Sequence, residues 1–173
     1  MKEDLGKKMN RKLIIVRHGK SSWDTVVDDI DRPLNERGVN NAYEMAGRLV
    51  KSGDVPQAIF TSPANRALHT AMIMAREWEL NTENIYINRN LYLAEVDEIY
   101  ETIYEIPDHF TCVALYGHNP GFTHFVNHLT KCNLDNLPTA GVAVISLDLE
   151  KWNEISNAKV TNYVIDYPKK PRS

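Results

Sequence analysis

The chain has 173 residues, 43% of them hydrophobic and 25% charged, a length and balance that fit one globular domain with a core of its own. A formal net charge of -3 and an isoelectric point near 6.1 exclude a general attraction to nucleic acid or to an anionic membrane. Any anion must therefore be held by a local cluster of cations.

Two cysteines, Cys112 and Cys132, have neither metal-type spacing nor a disulfide framework, so a reduced cytoplasm is the expected location. The opening MKEDLGKKMN reads as a polar extension over residues 1–10. Only four strongly apolar residues follow it, too few for a signal-peptide core or a membrane span. A folded domain is expected over 11–168 and a solvated basic tail over 169–173.

In chain order, Leu13 to Val16 read as a short buried strand that ends at Gly19, leaving Arg17 and His18 at its C-terminal end. Ser21 to Arg32 is polar and reads as a loop. Asn35 is expected to cap a helix through Ser52, with Val39, Ala42, Ala46, Leu49 and Val50 on one face and Gly53 as its stop. Ala58 to Thr61 is a second strand, and Ser62 and Pro63 are a cap and first-turn pair for a helix reaching Glu79. Ile85 to Ile87 is another strand, followed by the loop and helix of LAEVDEIYETIYEI. Cys112 to Tyr116 is a buried strand ending at Gly117-His118, and Pro120 or Gly121 opens a helix carrying Phe125, Val126 and Leu129. Gly141 to Leu149 and Lys159 to Tyr167 complete the strands. This alternation predicts a single-domain three-layer α/β/α sandwich around a mostly parallel sheet with an antiparallel edge.

Ligands in such sheets bind at the carboxyl ends of the strands. Three strand ends here present cationic or ionisable groups: Arg17-His18, Arg66 and His118. Arg66 falls in the first turn of its helix, where free N–H groups already favour an anion. Two guanidiniums and an imidazole suit a phosphoryl group better than a single carboxylate. If one nitrogen of His18 donates to a backbone carbonyl, the other is free to attack phosphorus and form a phosphohistidine. No metal and no cofactor is required when the arginines supply the positive charge.

R-H-G after a first strand, S-P-x-x-R-A-x-x-T-A after a second and G-H-N-P-G after a later one occur in that order. On these motifs the sequence resembles the histidine phosphatase superfamily, the phosphoglycerate mutase-like group. Its size, D-R-P-L-N-E-R-G at Asp31 to Gly38 and T-A-G at Thr139 to Gly141 resemble the SixA-type phosphohistidine phosphatase branch. The resemblance runs from His18 to Ser146. It implies that His18 is the phosphorylated nucleophile, that Arg17 and Arg66 grip the phosphate, and that His118 contacts it and stabilises the transition state. Arg32, in R-P-L, is placed at the pocket mouth, and Asn119 beside His118 as a further lining residue.

Ester-cleaving members commonly carry a glutamate in the loop after a middle strand, and Glu95 lies there, near Asp97 and Glu98. An alkoxide leaving group needs that proton, whereas a phosphohistidine protonated on its ring departs as neutral imidazole and needs less help. The expected substrate is therefore phosphohistidine on a protein, with a small phosphate ester, or phosphate binding without turnover, as the alternatives.

Other assignments are weaker. His124 and His128 stand four apart on one helix, but Phe-Val-Asn between them offers no glutamate base in the zinc-protease style. Trp23 and Tyr43 either border the site or, as is more common for an aromatic near a strand, belong to the core. Arg32, Arg37 and Arg48 also fit surface ion pairs.

Overall fold

A computed structural model describes residues 10–24 and 26–170. Nine of the ten residues of the expected polar extension, and the last three of the basic tail, lie outside the described residues.

Leu13, Ile14, Ile15 and Val16 are fully buried in strand β1 (Asn10–Arg17), which pairs parallel with β4 (Cys112–Gly117) and antiparallel with β5 (Val142–Asp148). A strand flanked on both edges and both faces must be apolar throughout, and this run is. The pleat divides it: Leu13 and Ile15 face one layer, Ile14 and Val16 the other. Burying each such side chain stabilises the fold by about 1.5–3 kcal/mol.

The six strands lie in the order β3-β2-β4-β1-β5-β6, with β2 at Ala58–Thr61, β3 at Ile85–Ile87 and β6 at Lys159–Asp166. β1 to β4 are mutually parallel, while β5 runs against β1 and β6 against β5. Helices α1 (Glu36–Ser52) and α2 (Asn65–Glu77) cover one face; α3 (Val96–Tyr104) and α4 (Gly121–Thr130) cover the other. The carboxyl ends of β1, β2 and β4 therefore meet at one edge of the sheet.

Local signals fix the helix ends. Asn35 Oδ1 accepts from Gly38 N–H at 2.8 Å, and Gly53, at φ 77°, closes the C-terminus by donating to Leu49 and Val50 carbonyls. Two details depart from expectation. Val50 is half exposed and Met45 is buried in its place, because the helix turns that position away from the sheet. α2 starts at Asn65, since Ser62 Oγ receives Ala64 N–H at 3.2 Å and the intervening residues form the turn.

Candidate active site

The end of β1 is held from several sides. His18 N–H donates to Gly117 O at 3.1 Å, His18 O accepts from Ala140 N–H at 3.0 Å, and Gly19 N–H donates to Thr70 Oγ1 at 3.0 Å. Thr70 in turn donates to Arg66 O at 2.7 Å, tying this turn to α2. Gly19 packs so closely on Gly38 that a Cβ there would lie 2.9 Å from the Gly38 carbonyl oxygen. At Gly38, in turn, a Cβ would lie 2.2 Å from the Lys20 carbonyl oxygen, so both faces of this contact between the β1 turn and α1 require glycine.

Around this point lies a pocket of about 290 Å³ lined by Arg17, His18, Arg32, Arg66, His118 and Asn119, with Trp23, Asp29, Leu93 and Thr139 among the remaining walls. Six of the seven residues expected at the site are thus brought together. Glu95 is the exception. It stands exposed at the start of α3, its N–H donating to Glu98 Oε2 at 2.7 Å, and it lines an adjoining cleft with Pro120 and His124. Helix capping occupies this stretch of chain.

His18 Nδ1 lies 2.7 Å from Gly19 O. A carbonyl only accepts, so Nδ1 carries the proton and Nε2 keeps its lone pair. Burial lowers the His18 pKa from 6.5 to about 4, assisted by the Arg66, Arg17 and Arg32 charges and opposed by the Gly19 hydrogen bond. The ring is therefore a neutral base at pH 7.

His118 lies beside it, ring centroids 5.2 Å apart, and burial with the His18 and Arg66 charges lowers its pKa to about 3. Its Nε2 is 2.7 Å from Ser62 Oγ. Ser62 Oγ also accepts from Ala64 N–H; when its own proton goes to Nε2, the ring N–H of His118 is on Nδ1 and is left for a ligand.

Four buried side-chain polar atoms lack a partner among the described residues, and three belong to this pocket: Arg17 Nε, Arg66 Nε and His118 Nδ1. A buried donor without an acceptor costs about 1–3 kcal/mol. A tetrahedral oxyanion in the pocket is the group that would satisfy such donors together. Both outer nitrogens of Arg66 are already engaged, donating to Asp29 O at 2.6 Å and Asp29 Oδ2 at 2.9 Å, and Arg17 Nη1 donates to Leu137 O at 2.9 Å.

Asp29 is a site residue that the sequence reading missed. It sits in a single 3-10 turn (Asp29–Asp31) and accepts from Tyr92 Oη at 2.6 Å, from Arg66 and from Arg32 Nε at 3.0 Å. The Tyr92 hydroxyl and both arginines hold its carboxyl well below the usual range, so it is ionised. Arg32 is buried, donates to Ser21 Oγ at 2.7 Å, and lies 3.6 Å from the centroid of the Trp23 ring. Trp23 is therefore at the pocket and not in the core; it is 74% exposed. Tyr43 is also exposed.

Asn119 lines the pocket but spends its amide on structure, donating to Asn136 Oδ1 and Leu137 O and accepting from Thr123. His128 Nδ1 meets Tyr100 Oη at 2.8 Å, and no group of three or more His, Cys, Asp or Glu suited to a metal occurs among the described residues. A larger cleft of about 540 Å³ lies between the end of α1 and β6. There Arg48 pairs with Asp166 at 2.9 Å and with Glu44, which neutralises its charge, while its Nε is the fourth unpartnered atom.

Sheet order, strand-end pocket and paired histidines define an α/β protein with a pocket of arginines and histidines at the carboxyl ends of its strands. The chain belongs to the histidine phosphatase superfamily: its sequence matches branch 1 of that family over residues 13–111. It is 31% identical over 156 residues to an uncharacterized chloroplastic protein of Arabidopsis thaliana, covering 84% of this chain and 71% of that one. It is 32% identical over 106 residues to the 2,3-bisphosphoglycerate-dependent phosphoglycerate mutase of Cutibacterium acnes, covering 53% of this chain and 43% of the mutase. The chain thus spans less than half of that enzyme. Among solved structures, a Nakamurella multipartitia protein assigned as a phosphohistidine phosphatase SixA superposes with TM-score 0.77 at 22% identity, over 93% of this chain and 98% of that one. A protein histidine phosphatase SixA complexed with tungstate superposes with TM-score 0.74 at 21% identity, over 88% and 95%. The fold is the one these structures share.

Proposed function

We propose that this chain is a phosphatase that works through a covalent phosphohistidine on His18 and removes phosphate from phosphohistidine on a protein. The observation that carries the reading is the His18 ring: Nδ1 is tied to Gly19 O at 2.7 Å and Nε2 is free beside Arg17, Arg66 and His118. The SixA neighbour is complexed with tungstate, a tetrahedral oxyanion of the kind that the donors of this pocket would suit.

In the first step the His18 Nε2 lone pair forms a bond to phosphorus as the substrate's P–N bond breaks, its electron pair leaving on the departing ring nitrogen. Arg17, Arg66 and His118 donate to the equatorial oxygens while charge builds there. Arg32 adds positive charge at the mouth. Water then attacks phosphorus from the opposite side, the P–N pair returns to His18 Nε2, and phosphate leaves with the water's oxygen. The arginines supply the charge, so the reaction needs no metal.

The position of Glu95 favours a P–N bond over an ester. An imidazole that leaves already protonated on its other nitrogen needs no acid at the pocket, whereas an alkoxide does. The two free cysteines, Cys112 and Cys132, support a reducing compartment such as the cytoplasm.

Paired turnover tests the reading. Wild type and His18→Ala are assayed without added metal on a phosphohistidine-bearing carrier domain and on p-nitrophenyl phosphate. We expect wild type to clear the carrier far faster than the ester and His18→Ala to clear neither. A preference for the ester would assign the site to small phosphomonoesters; turnover of neither would leave phosphate binding alone.

A further inference from the structure

The pocket of about 290 Å³ admits a phosphoryl group with a small ring attached, so the rest of whatever carries them must lie on the rim. Two large apolar side chains form part of that rim. Trp23 follows β1 and Leu93 precedes α3; both line the pocket, yet they are 74% and 55% exposed. Val26 and Val27, on the same loop as Trp23, are exposed as well.

Both rim residues are held in place at some expense. Trp23 lies over the Arg32 guanidinium, whose own position is fixed by Ser21 and Asp29, so one face of the indole is anchored while most of the ring remains in solvent. Leu93 has φ 50°, in the left-handed region that a branched apolar residue rarely adopts. The fold gains nothing from an exposed leucine in that conformation. Asparagine or glycine would suit the backbone better.

We infer that Trp23 and Leu93 are specificity-determining residues that take the leaving group: an imidazole ring together with the apolar protein surface around it. The inference rests on the phosphohistidine phosphatase reading and adds the residues by which a protein substrate is distinguished from a small one. The apolar rim is continuous with the phosphate pocket, so a phosphorylated side chain seated there brings its own protein's surface against Trp23 and Leu93. The partner is thus a folded domain whose phosphorylated histidine is ringed by apolar side chains.

Three substrates of increasing size separate the contributions. Phosphoramidate has the P–N bond and no ring, free phosphohistidine adds the ring, and a phosphorylated carrier domain adds the surface. For Trp23→Ala and Leu93→Asn we expect kcat/KM on the carrier to fall about tenfold or more, mainly through KM, and free phosphohistidine to fall less. Phosphoramidate should stay within about twofold of wild type. Trp23→Phe should restore most of the carrier activity. Leu93→Asn should melt at or above the wild-type temperature, which a merely structural leucine would not do. Equal losses on all three substrates, or no loss on the carrier, would overturn the rim inference while leaving the phosphatase reading standing. If wild type hydrolyses neither phosphoramidate nor the carrier, both fall.

Discussion

The proposed mechanism needs an uncharged histidine at position 18, and the surroundings of His18 keep it so. Burial brings His18 from 6.5 to about 4, so its lone pair is available well below neutral pH. We expect kcat/KM, corrected for the substrate's own titration, to stay level from about pH 7 to about pH 5 and to fall near pH 4. An acid limb at the ordinary histidine value would show that burial does not act on the nucleophile. Asp29 acts through others: its ionised carboxylate sets Arg66 and Arg32 and receives Tyr92. Asp29→Asn should raise KM several-fold and weaken tungstate binding, at a stability cost on the order of 1 kcal/mol, because the carboxylate is partly solvated. Glu95→Gln should leave carrier turnover within about twofold, since the side chain stands outside the pocket. His18, Arg17, Arg66 and His118 were legible because each follows a strand or opens a helix in a recognisable motif. Asp29 and Tyr92 were not. They lie 63 positions apart, and only the folded loops bring carboxylate and hydroxyl together.

Elements with chemical punctuation at both ends were read correctly from the sequence. The Asn35 cap and the left-handed Gly53 bound α1 at the expected residues, and Ala58–Thr61 and Ile85–Ile87 form the expected strands. α2 begins later than expected because Ser62 serves His118 and the turn, a tertiary use that its cap-like residue type does not announce. For Trp23 the sequence left core and site border open, because hydrophobicity signals burial in general; the structure gives the border, where a guanidinium covers one face of an otherwise exposed ring. Asn35→Ala should cost about 1 kcal/mol in urea unfolding. Gly121→Ala should cost more. A Cβ there would lie 1.7 Å from Ala94 O, so α4 must shift against the loop that carries Leu93. We expect about 1–3 kcal/mol of destabilisation together with reduced turnover, read from unfolding midpoints and kcat/KM.

Across the whole molecule, the sheet places the ends of β1, β2 and β4 at one edge and so gathers a charged pocket that the fold must hold without a ligand. Two neutral buried histidines make this assembly sensitive to acid. In the unfolded chain each takes a proton near 6.5, while in the fold they resist until about 4 for His18 and about 3 for His118. The unfolded state therefore binds more protons across that window, and stability is full above about pH 6.5 and falls as the pH is lowered through it. Urea midpoints at descending pH should decline over this range, and less steeply in His18→Ala. The parallel sheet and the antiparallel extension were legible from strand spacing. The pocket's third wall, Leu137 to Ala140, was legible only in part, through T-A-G, because its place is set by the Arg17 guanidinium donating to Leu137 O and by Ala140 N–H donating to His18 O.

The central claim is a phosphoryl group carried on His18 Nε2. Wild type should be mixed with a phosphohistidine carrier, quenched in alkali within the first turnover and mapped by peptide mass spectrometry. The account predicts an acid-labile, alkali-stable phosphoryl group on the peptide containing His18, rising and decaying with turnover and absent in His18→Ala. Turnover with no label at any quench time, or with the label on another residue, would contradict it.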